Sequence, residues 1–160
     1  MALHKLLVDD FDIETYSLLA IHCTLEDYRI AYLLNKQLQI SLQRKQQDID
    51  VQYTASSFPI YEWKDKNQQT IWNLVSNVCK KEEDSMASSG SLFETQNKIL
   101  RTHNLIPEYK KVNYLLKINN DGNFINERAI IHKIQEMPQV AAVFSINVSQ
   151  LKSKDNLIFN

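Results

Sequence analysis

Between Tyr16 and Cys23 the chain reads YSLLAIHC, apolar on both alternating faces. A strand with one wet face alternates apolar and polar residues, so this run predicts a strand covered on both sides or lying centrally in a sheet. The period then changes. Ile30, Ala31, Leu33, Leu34 and Leu38 recur at three- and four-residue spacing with Arg29 and Lys36 on the opposite side, which predicts a helix through about Leu38 with one apolar stripe against a sheet. Thr24 is its candidate N-cap, and Glu26 and Asp27 fall in the first turn, where carboxylates favour the helix dipole.

Further along, the polar stretch 40–50 predicts a short edge strand and an exposed turn, its charges blunting the edge. Phe58 to Trp63 and Gln69 to Lys80 predict two strands joined as a hairpin or a short meander through Lys64-Asp65-Lys66-Asn67-Gln68, with Trp63 and Trp72 upon them. Residues 82–91 combine charge with Ser and Gly and lack any apolar period, the pattern of a mobile surface loop. After a strand at Asn97 to Thr102, alternation predicts another in which Val112, Tyr114, Leu116 and Ile118 share one face and Asn113, Leu115 and Lys117 a partly polar reverse side. Asn119-Asn120-Asp121-Gly122 predicts a turn. A helix from Asn126 to Glu136 follows, with Ile130, Ile134 and Met137 on one face and Pro138 beyond it, and then a strand at Val140 to Ile146.

These elements predict an α+β fold: an antiparallel or mixed β-sheet with two α-helices packed on one face, built from two βαβ-like units at Tyr16 to about Lys45 and at residues 112–147. Ferredoxin-like and small regulatory domains use such units. The expected organisation is a single domain over residues 1–160, a length that supports a core without metal or disulfide staples.

Composition narrows the function classes. The chain is 44% hydrophobic and 23% charged, the profile of a globular protein. Eighteen basic and nineteen acidic residues give a net charge of −1, so no global field draws it to nucleic acid or an anionic membrane. Nucleic-acid and membrane partners are therefore not expected. The apolar run at Leu3 to Val8 ends at Asp9, Asp10 and Asp12, too short for a signal peptide, which makes the cytoplasm the expected location and Cys23 and Cys79 free thiols. Gly90 and Gly122 are the only glycines, and neither a Walker loop nor a dinucleotide fingerprint can be written with two.

Residues 106–114, IPEYKKVNY, resemble the signature of the bacterial IPExxxVDY family, and the segments MALHKLLVDDF, IHCTLEDYRIAYLLNK, FPIYEW and LKSKDNLIF are similar to that family too, so the resemblance spans nearly the whole chain. Asn113 stands where the family name has Asp, which keeps size and hydrogen bonding but removes the charge. The family is uncharacterised, so the resemblance implies no reaction. It marks Ile106, Pro107, Glu108, Val112, Asn113 and Tyr114 as candidate binding residues.

Glu108, beside a fixed proline bend, is placed either to bind a partner or to cap backbone amides, with capping the more ordinary use. Lys110 and Lys111 read as a solvated edge or an anion contact. His22-Cys23 and Cys79 show no C-x-x-C or H-E-x-x-H spacing, so no metal, no cofactor and no catalytic residue is expected. Tyr53, Phe58, Tyr61, Trp63 and Trp72 could form a stacking platform, but Asp48, Asp50, Glu62 and Asp65 surround them, which favours a core or a protein interface over RNA. The functional expectation is a non-catalytic protein-interaction or regulatory module with a protein partner or self-association, through an open sheet edge or the Trp-bearing face. The alternative is a sensor of a small anionic metabolite with a regulatory ferredoxin-like fold, binding near Glu108 to Asn113 and the start of either helix.

Overall fold

The twin apolar faces of Tyr16–His22 make this strand, β1, an interior member of a sheet. In the computed structural model, which describes residues 16–51, 56–84 and 98–159, β1 lies between β9 (Tyr114–Asn119) and β10 (Ala142–Ser145). The six-stranded order is β10-β1-β9-β6-β5-β2, where β2 is Gln43–Arg44, β5 is Ile60–Asp65 and β6 is Thr70–Ser76, and every neighbouring pair is antiparallel. Two ribbons stand beside it: β3 (Ile49–Val51) with β4 (Ser56–Phe58), and β7 (Val78–Asp84) with β8 (Lys98–Asn104). The fold is α+β, as the sequence pattern predicts.

Helix α1 spans Asp27–Leu38 and α2 spans Glu127–Gln135. Strands β9 and β10, joined by α2, run parallel to each other with β1 inserted between them; β1 and β6 are likewise parallel with β9 between. This is the split β-α-β arrangement that ferredoxin-like sheets use. The unit expected over Tyr16 to Lys45 closes differently, because β2, the first strand after α1, pairs with β5 at the far edge.

Both faces of the sheet are covered. On one, Leu19, Ile21, Leu74, Leu116 and Ile118 pack with Ile30, Ala31 and Leu34 of α1 and Ile134 of α2. On the other, Leu18, Ala20, Val75 and Leu115 pack with Phe58 of β4 and, under largely irregular chain, with Leu105, Ile106, Val112, Val148, Leu151 and Leu157. Strand β9 has the partly polar reverse side that alternation predicts, with Leu115 buried and Lys117 and Asn119 half-buried on it. Val112, however, joins the second core rather than the face of Tyr114, since β9 begins only at Tyr114.

Two further boundaries move. Glu26, not Thr24, is the N-cap residue of α1, and its side chain makes no capping bond. The cause is tertiary: the Cys23 N–H donates to Asn113 Oδ1 at 2.9 Å and the Tyr114 hydroxyl donates to the Leu25 carbonyl, so the chain is tied to β9 until Leu25. Residues 82–84 of the expected loop continue β7, and its remainder, 85–91, lies outside the described residues. Asn126, where the sequence pattern starts the second helix, is the N-cap of α2, its side chain accepting from the Ala129 N–H at 3.2 Å. Among the described residues no helix is long and apolar enough to cross a membrane.

Candidate functional site

The candidate residues cluster where β6 ends and β9 begins. Pro107 opens a 3-10 turn, Pro107–Tyr109, a position where its missing N–H costs nothing. Ile106 before it is fully buried. The turn is seated on Asn77, which is 0% exposed and has every polar group occupied. Its Oδ1 accepts from the Ile106 N–H at 2.7 Å, and its Nδ2 donates to the carbonyls of Tyr109 and Val112, each at 2.9 Å. Its own N–H donates to the Asn113 carbonyl at 2.9 Å, and its carbonyl accepts from the Leu105 N–H at 3.0 Å. An irregular segment has no ladder to satisfy its backbone, and one asparagine supplies three of the bonds this one needs.

Glu108 faces the C-terminal segment. Its Oε2 accepts from the backbone N–H groups of Lys152 and Ser153 at 3.0 and 3.3 Å, and its Oε1 accepts from the Ser153 hydroxyl at 2.8 Å. Desolvation pushes its carboxyl up, but these donors outweigh it and hold the group below the ordinary glutamate range. An anion so stabilised is a weak base. The segments 106–114 and 151–159, apart in sequence, thereby meet at one carboxylate. Asn156 Nδ2 adds a bond to the Leu105 carbonyl at 2.9 Å.

Of the six candidate residues, Pro107, Glu108 and Val112 line one open groove of about 420 Å³, together with His22, Tyr109, Lys110, Lys111 and Phe144. Ile106, Asn113 and Tyr114 belong instead to its scaffold: Ile106 to the core, Asn113 to the Cys23 tie, and Tyr114 to the helix-side face. Burial, and then the nearby Asp27 carboxylate, raise the Tyr114 hydroxyl pKa, so it remains a donor at any physiological pH. The aromatic rings of the groove are neighbours: Phe144 lies 5.9 Å from His22 and 6.1 Å from Tyr109. Lys110 and Lys111 are exposed at its rim.

Sequence reasoning missed Asn77, Phe144 and the use of His22. A polar residue interrupting the β-run at 69–80 is the one signal that could have found Asn77. The thiols do not meet, since Cys23 lies in the helix-side core and Cys79 packs against the other. The aromatics of the supposed platform are also divided. Phe58 points into the second core, Tyr61, Trp63 and Trp72 lie on the helix side, and Tyr53 is outside the described residues. Among the described residues no group of three or more His, Cys, Asp or Glu side chains gathers to hold a metal ion. No family model, no curated protein and no solved structure matches this chain.

Proposed function

We propose that this protein is a cytoplasmic, non-catalytic protein-interaction module of the IPExxxVDY family, whose groove beneath the 107–111 turn takes an acidic segment of a partner protein. The observation that carries the reading is the division of labour within the motif. The Glu108 carboxylate is engaged by the C-terminal segment, so the charges at the groove rim are Lys110 and Lys111, above apolar and aromatic walls from Val112, Tyr109 and Phe144. Aromatic surface with cationic neighbours suits an acidic peptide, for which complementary charge speeds encounter and ring contacts supply affinity. An anionic metabolite at the start of either helix is a poorer fit, because Glu26 and Asp27 at α1 and Glu127 at α2 place carboxylates there.

The test is affinity purification of the tagged protein from its native cytoplasm, wild type beside Lys110→Glu/Lys111→Glu, with unfolding curves run in parallel. A stoichiometric partner with an acidic segment, lost in the reversed variant at unchanged stability, is expected. Retention of the partner by that variant, or purification of the wild type alone, overturns the reading.

A further inference from the structure

The six-stranded sheet ends at β2 and at β10, and the two edges are built differently. An edge strand exposes a row of backbone N–H and C=O groups with which another chain can pair, and proteins commonly blunt such edges by shortness, charge or proline. Strand β2 is blunted in this way, having two residues, Gln43 and Arg44, the second paired with Asp48. Strand β10 has four residues, none of them charged, and neither a charge nor a proline occurs from Val140 to Val148. Among the described residues no strand pairs on its outer side.

The register decides which groups face outward. The Ile146 N–H donates to the Leu18 carbonyl at 2.9 Å, and Leu19, Ala20 and Ile21 stand opposite Ser145, Phe144 and Val143. Bonded and non-bonded pairs alternate along an antiparallel ladder, so Phe144 bonds to β1 while Val143 and Ser145 turn their N–H and C=O groups away from it. Gln135 of α2 shows the direction: its Nε2 donates to the Val143 carbonyl at 3.4 Å, a long bond that a backbone donor can replace. The Phe144 side chain, opposite Ala20, lies on the loop-covered face and is 36% exposed, where it walls the motif groove. A chain extended along β10 places every second side chain on that same face, towards Lys110 and Lys111, which form no ion pair among the described residues.

We propose that the acidic segment taken by the motif groove binds as an added strand on β10, its main chain bonded to the outward groups of Val143 and Ser145 and its acidic side chains reaching Lys110 and Lys111 from alternate positions. The proposal rests on the groove reading above and adds the conformation of the ligand. Main-chain pairing supplies affinity in this mode, and the alternate side chains supply the choice of partner.

The test uses the whole protein and a short capped peptide alternating Glu and Val, with its Lys and Val counterpart as control. Calorimetry measures binding, and amide hydrogen exchange by NMR follows the N–H groups of Val143 and Ser145. Binding of the acidic peptide alone, with exchange of these two amides slowed at least about tenfold, is expected. Ser145→Pro removes an outward donor that β1 does not use, at an edge position where proline is tolerated, so it should leave unfolding curves unchanged and weaken the peptide about tenfold. The exchange measurement needs only the wild type and decides the matter even where the proline variant does not fold. Charge-dependent binding without added protection at Val143 and Ser145 overturns the added strand and leaves the groove reading standing. Protection of both amides that survives Lys110→Glu/Lys111→Glu overturns the groove reading, and the proposal with it. Failure of the wild type to bind the acidic peptide overturns the added strand, while the groove reading is decided by the purification above.

Discussion

The two faces of the central sheet are covered by different physics. On one side α1 and α2 satisfy their own backbone hydrogen bonds and need only bury an apolar stripe, which Ile30, Ala31, Leu34 and Ile134 supply. On the other, the covering chain at 105–113 and 148–159 is irregular apart from short 3-10 turns, and many of its backbone groups must find partners elsewhere. Polar side chains provide them: Asn77 for Ile106, Tyr109 and Val112, Glu108 for Lys152 and Ser153, Lys117 for Leu157, and Asn156 for Leu105. The lesson is that apolar burial is common to both faces, but specificity on the loop-covered face resides in a few polar fasteners. Much of the candidate motif belongs to that fastening, and Lys110, Lys111 and Tyr109 from its remainder line the open groove together with Phe144 of β10.

The sharpest way to break this contrast is Asn77→Ala. It strands one buried N–H and two carbonyls, so denaturant unfolding should show a loss of about 4 kcal/mol, with exposure of the 104–113 amides to hydrogen exchange. A loss below about 1 kcal/mol would mean that the turn holds itself. The matched change on the helix face is Leu34→Ala, fully buried, expected to cost about 3 kcal/mol by cavity formation and to leave exchange at 104–113 unaltered relative to global stability.

A smaller effect is expected for Glu108→Gln, about 1 kcal/mol, because the carboxylate is exposed and its bonds compete with water. The folded carboxyl ionises at lower pH than the unfolded one, so its contribution is complete above the ordinary glutamate range and disappears as pH falls through the folded value. The stability gap between wild type and variant should be flat from about pH 6 to 8 and close below about pH 4. A gap that persists in acid would assign the effect to shape rather than charge. Least of all, Asn113→Asp should shift stability by under about 0.5 kcal/mol, since either side chain offers an oxygen to the Cys23 N–H; a Tm series with Asn113→Ala as the disruptive control checks it.

Much of the fold was legible in the chain, and the legible parts share a cause. Tyr16–His22 announced its twin burial because alternating positions in one strand report directly on both faces, and α1 and α2 announced their inner stripes because 3.6-residue periodicity is a local property. Glu108 was recognisable as a capping carboxylate, although nothing local said that Lys152 and Ser153 would be its partners. Thr24 failed as an N-cap because Asn113 and Tyr114, about ninety residues away, claim the chain before the helix can start. Val112 was assigned the wrong face because alternation was extended across Asn113, where the backbone has not yet entered the strand.

Local periodicity and composition thus determined the elements, the α+β class and the exclusion of glycine-rich nucleotide sites. Tertiary structure alone decided the strand order, the seating of the motif on Asn77, and the meeting of Glu108 with the C-terminal segment. The reason is that hydrophobic pattern is written at separations of two to four residues, whereas each of these arrangements is made by side chains brought together from distant parts of the chain.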